Sequence, residues 1–336
     1  MRQLEFVERR RLRWVEARDP VLEAATDAVV RPVAATTCDL DRAIIGGQTP
    51  FAGPFAIGHE CVAEIVDAGD ALVSLVPGDV AVVPWHVSCG RCDRCSAGLT
   101  AHCREVPRNA MYGLPVGGDW GGLFSDLVRV PWADHALVRV PDGLDPAAVA
   151  SAGDNLTDAW RAVEAGLADR PGADVLVVGG TASIGIYAAA LAVAQGAGRV
   201  VYVDRDADRR RLAGEYGAET LDELDSERPG EFPVTVDASA DPAGLTLALR
   251  ATGPGGHCHS VGIYFAGAHV PLGEMYMNGV TLTTGRSDVR PSIPAVVDAV
   301  ATGTVDPTAV FSETVDWDDL PEALAELPRK PLARRP

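Results

Sequence analysis

Up to about residue 145 the apolar positions come in short, nearly alternating runs, VAEIVDAG, DVAVVP, DLVRVP and ALVRVP, punctuated by glycine and proline. The period of two, with no long 3.6-residue period between the runs, predicts a β-rich first domain. From residue 147 the pattern changes. DPAAVASAGDNLTDAWRAVEAG has helical spacing, DVLVVG is an apolar run of strand length, SIGIYAAALAVAQG reads as a helix and RVVYVD as a second strand. Strand, helix, strand at this spacing predicts a βαβ unit. PVTVDAS, PAGLTLALRAT, GGHCHSVGIY and VTLTTG continue the alternation, so a parallel sheet covered by helices is the economical way to bury these runs. A last helix over PSIPAVVDAVATG and the acidic DWDDLPEALAEL precede a tail, PRKPLARRP, that reads as a loose end. The expected organisation is a β-rich domain over 1–146, a doubly wound α/β domain over 147–287, and a return segment over 288–336 that packs on the first domain.

Length and composition sharpen this picture. A chain of 336 residues exceeds one small core and fits two domains, and 47% hydrophobic with 23% charged residues excludes disorder. The 29 basic and 47 acidic side chains give a formal charge of −18, which repels phosphate backbones and anionic lipid, so neither nucleic acid nor membrane is an expected partner. The longest apolar stretches, such as VLVV and AAALAVA, fall well short of the roughly 20 residues of a membrane span. The opening MRQLEFVERRRLRW has no apolar core or cleavage site of a secretory signal, and the expected location is the cytoplasm.

Seven cysteines, an odd number, suit ligation in a reducing compartment better than a disulfide framework. Four of them, Cys89, Cys92, Cys95 and Cys103, form C-x2-C-x2-C-x7-C within 86–104. The short gaps let consecutive thiolates converge from one tight loop, with Gly90 easing the turn, and the longer gap returns the fourth. Zinc suits four thiolates, and with no vertex left for water such a site is structural. An iron–sulfur cluster is the alternative these spacings leave open. A second constellation combines Cys38 in TTCDLD with His59 and Glu60 in AIGHECVAEIVDAG: thiolate, imidazole and carboxylate, the donor set of a catalytic zinc. By itself this pairing is no more telling than a buried core histidine. Downstream, VLVVG runs into GTASIG, Gly180 to Gly185, with Ala182 at the middle glycine of G-x-G-x-x-G and with Ser183 and Ile184 opening the helix. Gly185 permits close helix packing, the helix start suits a pyrophosphate, and Asp204 at the end of the next strand can hold ribose hydroxyls. That acid repels a 2′-phosphate and predicts NAD over NADP, with Arg205 beside it pulling the other way.

TTCDLD, GHECVAEIVDAG, PGDVAVVP, the four-cysteine lobe, GGDWGGLFSDLVRVP and the glycine-bearing βαβ unit occur in one order and spacing over most of the chain. In this the sequence resembles the zinc-dependent medium-chain dehydrogenase/reductase family of alcohol, polyol, threonine and formaldehyde dehydrogenases. The resemblance implies a GroES-like catalytic domain and a Rossmann-type domain, two zinc ions per chain, and NAD as the cofactor. It makes Cys38 and His59 catalytic ligands, Glu60 a ligand that exchanges with water or substrate, and Asp41 the acid that orients the histidine. A further family ligand falls on Asp154 in SAGDNLTDAW, where a helix N-cap is the ordinary alternative. The resemblance also places Trp85, Trp120, Phe124 and Leu40 at the substrate and the VGIY segment, with Val261 and Ile263, at the nicotinamide; core packing is the ordinary alternative for Phe124.

The departures from the family pattern concern protons. Where the family carries a hydroxyl on the substrate oxygen and often a histidine beyond it, this chain has Leu40 and Ala43, neither able to carry a proton. Asp39 replaces a glycine, or an arginine that contacts the pyrophosphate. Thr157, Asn155 or water are the remaining routes. The expected reaction is reversible hydride transfer between NAD(H) and a zinc-bound alcohol, aldehyde or ketone. Alternatives are a carbonyl or imine reductase of a biosynthetic pathway and a redirected zinc protein that binds NAD with little dehydrogenase activity. A homodimer or homotetramer is the expected assembly.

Overall fold

The computed structural model describes residues 1–227 and 229–335. The chain separates into two compact units, one of Met1–Thr157 with Ser287–Pro336 and the other of Asp158–Arg286. The boundary at 157/158 falls inside the helix Asn155–Asp169, whereas the pattern of the sequence puts it at 146/147. The reason is local. The stretch read as one helix from residue 145 is a short 3-10 turn, Pro146–Val149, then a series of turns, and only then a helix from Asn155.

In the first unit the leading sheet has seven strands. Its path runs Glu313–Asp316, Pro331–Arg334, Ala28–Thr36, Glu60–Ala68, Val80–Val83, Val138–Arg139, with Val128–Val130 also pairing with Ala28–Thr36. The pairings are antiparallel apart from Glu313–Asp316 with Pro331–Arg334. The central strands bury residues on both faces: Val30, Ala34 and Ala35 on one, and Cys61, Val62, Ala63 and Ile65 on the next, are all 2% exposed or less. A smaller three-stranded sheet joins Arg2–Glu8, Arg11–Glu16 and Phe55–Ala56. The tail is not loose. Leu332, Ala333 and Arg334 pair in register with Thr36, Ala35 and Ala34, so the terminal strand lies inside the sheet and buries Leu332 and Ala333. Its short length and flanking prolines hide a strand whose apolar face only a partner sheet reveals.

The second unit holds a six-stranded sheet, all parallel, in the order Glu219–Leu221, Val200–Val203, Val175–Val178, Phe232–Asp237, Thr252–Ser260, Thr281–Thr284. Numbered along the chain, this order is 3-2-1-4-5-6, the doubly wound Rossmann arrangement. The helix Ile184–Ala194 is apolar all round and nearly every residue in it is buried, as a helix covering the centre of such a sheet must be. Leu176, Val201, Phe232, Leu245, Leu249 and Cys258 form the core on one side. No helix among the described residues is long and apolar enough to cross a membrane.

Candidate metal centres and nucleotide site

Strand register builds the first centre. Thr36 pairs with Glu60, so Cys38, two residues beyond the first strand, meets His59, one residue before the second. Cys38 Sγ lies 2.8 Å from His59 Nε2, and Asp154 Oδ2 lies 3.5 Å from the same nitrogen. Cys38, His59 and Asp154 each offer one donor atom within 4.8 Å of the others, a separation that a single metal ion can span. Asp154 reaches this point because the preceding turn passes close to the sheet: the Trp85 N–H donates to the Gly153 carbonyl, and a Cβ on Gly153 would sit 2.3 Å from the Val83 carbonyl.

The surroundings favour ligation. Cys38 caps the helix Asp39–Ile45, its sulfur accepting from the Leu40 and Asp41 N–H groups at 3.1 and 3.4 Å. Asp41 returns the contact, its Oδ2 accepting from the Cys38 N–H while its Oδ1 stands 3.2 Å from His59 Nδ1. That carboxylate turns the imidazole so that Nε2 faces Cys38 and Asp154. Burial pushes the Cys38 thiol pKa well above its usual value, with His59 opposing, and a bound cation is what such a buried thiolate needs. Burial likewise disfavours a charged His59, yet Asp41, Cys38 and Asp154 outweigh it and raise its pKa well above the ordinary value. A group that concentrates so much negative charge on one imidazole fits a divalent cation.

Glu60 stands elsewhere. Its Oε1 accepts from the Ser151 hydroxyl at 2.9 Å and the Asn155 N–H at 2.7 Å, and its Oε2 from Lys330 Nζ at 2.7 Å. Both partners of this ion pair are 0% exposed, and Lys330 also donates to the Thr37 carbonyl at 2.8 Å. Burial raises the Glu60 pKa and Lys330 pulls it back. With its oxygens on these partners, Glu60 is not one of the three converging donors. Lys330 escaped the sequence reading because it lies in the supposed loose tail. One signal was available: it is the sole lysine of the chain, beside 28 arginines.

The second centre is local. The sulfurs of Cys89, Cys92, Cys95 and Cys103 all lie within 4.8 Å of one another, and the Cys89–Cys95 and Cys92–Cys103 pairs stand at 4.0 Å, too far for disulfides. Backbone N–H groups of Cys89, Arg91, Cys92, Cys95, Arg104 and Glu105 point at these sulfurs at 3.4 to 3.5 Å and suit thiolates. Gly90 is required: its φ is +73°, and a Cβ there would lie 2.3 Å from the His135 ring.

In the second unit the turn 179–185 follows the strand Val175–Val178 at the reversal point of strand order, where open α/β sheets bind ligands. A Cβ on Gly180 would lie 2.9 Å from the Ser239 carbonyl oxygen, so the loop needs glycine there, while Ala182 is accepted at 7% exposure. A Cβ on Gly185 would lie 3.3 to 3.5 Å from Ala238, Tyr202 and Gly179, the close packing expected of the last fingerprint glycine. Ser183 stands at the start of the helix Ile184–Ala194, and a helix N-terminus suits an anion. Asp204 ends the strand Val200–Val203 and is buried against Tyr202 and Arg209. Burial works against its charge, but Arg209, the Asp206 N–H and Tyr202 prevail and hold its pKa below the usual value. Arg205 is exposed, Val261 is half-buried, and Ile263 is 51% exposed.

The expected pocket residues divide. Leu40 is half-buried beside Cys38, and Trp85 is 6% exposed with its ring edge-on to His86. Trp120 is half-buried in a glycine-rich turn and donates to the Gly117 carbonyl. Phe124 belongs to the core: it is 1% exposed, packs on Trp317, and its ring fills the space beside Gly58. The buried Thr157 hydroxyl donates to the Ala152 carbonyl at 2.6 Å.

Residues 24–142 match the family model described as alcohol dehydrogenase GroES-like domain, and residues 183–302 the one described as zinc-binding dehydrogenase. A glutathione-independent formaldehyde dehydrogenase of Pseudomonas aeruginosa is 30% identical over 81% of this chain and 70% of its own. A Mycobacterium tuberculosis protein named "Probable zinc-binding alcohol dehydrogenase" is 29% identical over 91% of this chain and 80% of its own. Among solved structures, the alcohol dehydrogenase TADH from Thermus sp. ATN1 superposes with a TM-score of 0.91 at 29% identity, covering the whole of both chains.

Proposed function

Since the chain belongs to the zinc-dependent medium-chain dehydrogenase/reductase family and is a zinc-dependent oxidoreductase of the alcohol dehydrogenase type, we propose that it moves a hydride reversibly between NAD(H) and a small neutral alcohol, aldehyde or ketone. The observation that carries this reading is the buried convergence of Cys38, His59 and Asp154 with Asp41 behind the imidazole. Zinc held there supplies Lewis acidity, lowering the pKa of a substrate hydroxyl or polarising a carbonyl. Cys38, His59 and Asp154 hold the metal, and Asp41 fixes the ring of His59. Lys330 neutralises Glu60, so a second acid stands beside the centre without adding net charge to it. Cys89, Cys92, Cys95 and Cys103 hold a second, structural zinc.

The first unit is the catalytic domain and the second the nucleotide domain. There the turn Gly180 to Gly185 receives the pyrophosphate, Asp204 faces the adenosine ribose and favours NAD over NADP, and Val261 and Ile263 flank the nicotinamide. Leu40, Trp85 and Trp120 give the substrate side an apolar character that suits a neutral molecule. Because Leu40 and Ala43 carry no proton, the proton of an alcohol leaves to water, and reduction, which consumes a proton, is the easier direction at neutral pH. That same pair favours a second reading in which the physiological reaction is reduction of a carbonyl or imine. The strand Thr281–Thr284 ends its sheet, and Leu272, Tyr276 and Met277 before it are exposed, which supports a homodimer or homotetramer. All seven cysteines are free, as in a reducing compartment such as the cytoplasm.

Elemental analysis with a screen of NADH and NADPH oxidation over aldehydes, ketones and polyols tests the proposal. Two zinc ions per chain and turnover of at least one class are expected. A single zinc that Cys38→Ala leaves in place removes the catalytic-metal reading.

A further inference from the structure

The strand Phe232–Asp237 ends on an acid that is 0% exposed. Its donors are hydroxyls and a backbone N–H. Asp237 Oδ1 accepts from the Ser239 N–H at 3.1 Å and the Ser239 hydroxyl at 2.6 Å; Oδ2 accepts from the Ser260 and Tyr264 hydroxyls, each at 2.7 Å. A carboxylate offers about four such positions, and burial is tolerated only when they are satisfied. Asp237 is therefore a fixed point to which two other stretches of the chain are tied.

Those stretches meet on the turn 237–241. On one side lies the glycine turn: the Ala238 carbonyl accepts from the Thr181 N–H at 3.2 Å and the Thr181 hydroxyl at 2.8 Å, and a Cβ on Gly180 would lie 2.9 Å from the Ser239 carbonyl oxygen. On the other lies the segment 260–264. The Val261 N–H donates to the Asp237 carbonyl at 2.9 Å, and a Cβ on Gly262 would lie 3.0 Å from Ala240 Cα. Ala240 itself holds φ at +52°, a left-handed conformation that costs a residue with a Cβ and persists only where the surroundings impose it. Here the Asp241 N–H donates to Ser239 Oγ at 3.1 Å, and the Tyr264 hydroxyl stands 3.3 Å from the Asp241 carbonyl.

Ser260 and Tyr264 thus bracket residues 261–263 on a single carboxylate oxygen. The Tyr264 ring packs against the core of the sheet, while Ile263 and Phe265 on either side of it are 51% and 49% exposed, so Tyr264 is what pins the far end of the segment. Resting on the reading of this unit as a dinucleotide site with Val261 and Ile263 at the nicotinamide, we propose that Tyr264 is a positioning residue for the nicotinamide ring. Its hydroxyl, through Asp237, holds 261–263 at a fixed distance from the glycine turn, so the ring meets one rigid surface. The Ser239 arm of the same carboxylate steadies the wall of the glycine turn and acts on the pyrophosphate end instead.

The test is calorimetric titration of the full-length, zinc-loaded protein with NADH and with ADP-ribose, which lacks the nicotinamide, for the parent, Tyr264→Phe and Ser239→Ala, together with the fluorescence emission of bound NADH. Tyr264→Phe should weaken NADH binding by about fivefold to tenfold, the scale of one hydrogen bond, and leave ADP-ribose within about twofold. The emission of bound NADH should move toward that of the free dinucleotide. Ser239→Ala should weaken both ligands by similar factors. Equal losses of NADH and ADP-ribose in Tyr264→Phe, no loss of either, an unmoved emission, or a loss confined to NADH in Ser239→Ala would each overturn the proposal, leaving Tyr264 as a core residue with a satisfied hydroxyl. Should Tyr264→Phe not fold, Ser260→Ala removes the other donor to the same oxygen and must show the same split between ligands; equal losses there overturn the proposal. A parent that binds neither ligand overturns the dinucleotide reading and this proposal with it, whereas a parent that binds both, with no split in the variants, overturns this proposal alone.

Discussion

The two candidate metal centres of the first unit are assembled in opposite ways. The four-cysteine lobe takes all its donors from fifteen consecutive residues and directs backbone N–H groups at their sulfurs. The Cys38–His59–Asp154 group draws on three separate parts of the chain and relies on buried charge: Asp41 against the imidazole, and the Glu60–Lys330 pair alongside. A local knot of thiolates has no shape without its ion, so metal binding there is folding. A centre built on the register of two core strands keeps its shape whether or not the ion is bound, because the sheet holds it. Metal removal should therefore unfold one and merely silence the other.

The largest effect expected is that of Cys95→Ser. At structural zinc sites an apparent binding free energy of about 10 kcal/mol or more is part of the folding free energy, so this variant should retain one zinc and melt far below the parent. A variant with parent-like melting would erase the contrast. Next is Cys38→Ala, which should also retain one zinc but melt close to the parent while losing at least about 1,000-fold in turnover, a barrier change of roughly 4 kcal/mol. Scanning calorimetry beside steady-state rates separates the two variants.

The buried pair sharpens the comparison at a third point. Lys330→Met leaves Glu60 buried without its counter-ion and should cost about 3–5 kcal/mol in denaturant unfolding, and adding Glu60→Gln should restore much of it. Both variants should still hold two zinc ions, since Glu60 stands apart from the converging donors; loss of an ion in the double variant would make Glu60 a ligand after all.

Smaller still is the effect of proton supply. Alcohol oxidation should be slow near neutrality and rise with pH, and Leu40→Thr should raise the neutral-pH rate by up to about tenfold. A flat profile with no gain would mean that another proton route already operates. The smallest effect belongs to the lobe's neighbour His135, whose Nε2 lies 3.1 Å from Ser88 Oγ. Burial, with Arg290 assisting, lowers its pKa to about 4. The folded state therefore keeps this ring neutral while the unfolded chain protonates it near its ordinary 6.5, so stability falls as pH drops from there toward 4. Because the ring is only partly buried, His135→Gln should flatten that fall by less than about 1 kcal/mol, read from melting temperature against pH.

How much of this was legible follows from the same distinction between local and distant. The lobe, the glycine turn at 180–185 and the alternation of strand and helix after residue 174 are written in short spacings, because their geometry is set by neighbours along the chain. Cys38 and His59 offered a suitable donor set in the sequence, and the resemblance strengthened their pairing; what joins them is the pairing of Thr36 with Glu60, which no spacing records. Tertiary structure alone decided that Lys330 is a buried counter-ion and the tail a strand, that Thr157 is spent on a carbonyl and Phe124 on the core, and that Asp204 is already held by Arg209. Each of these depends on which distant group arrives to satisfy a charge, a hydroxyl or an apolar face. The sequence by itself determined the donors and the elements that carry them, since ligand chemistry and hydrophobic period are properties of the residues; their partners were settled only when burial forced every polar group to find one.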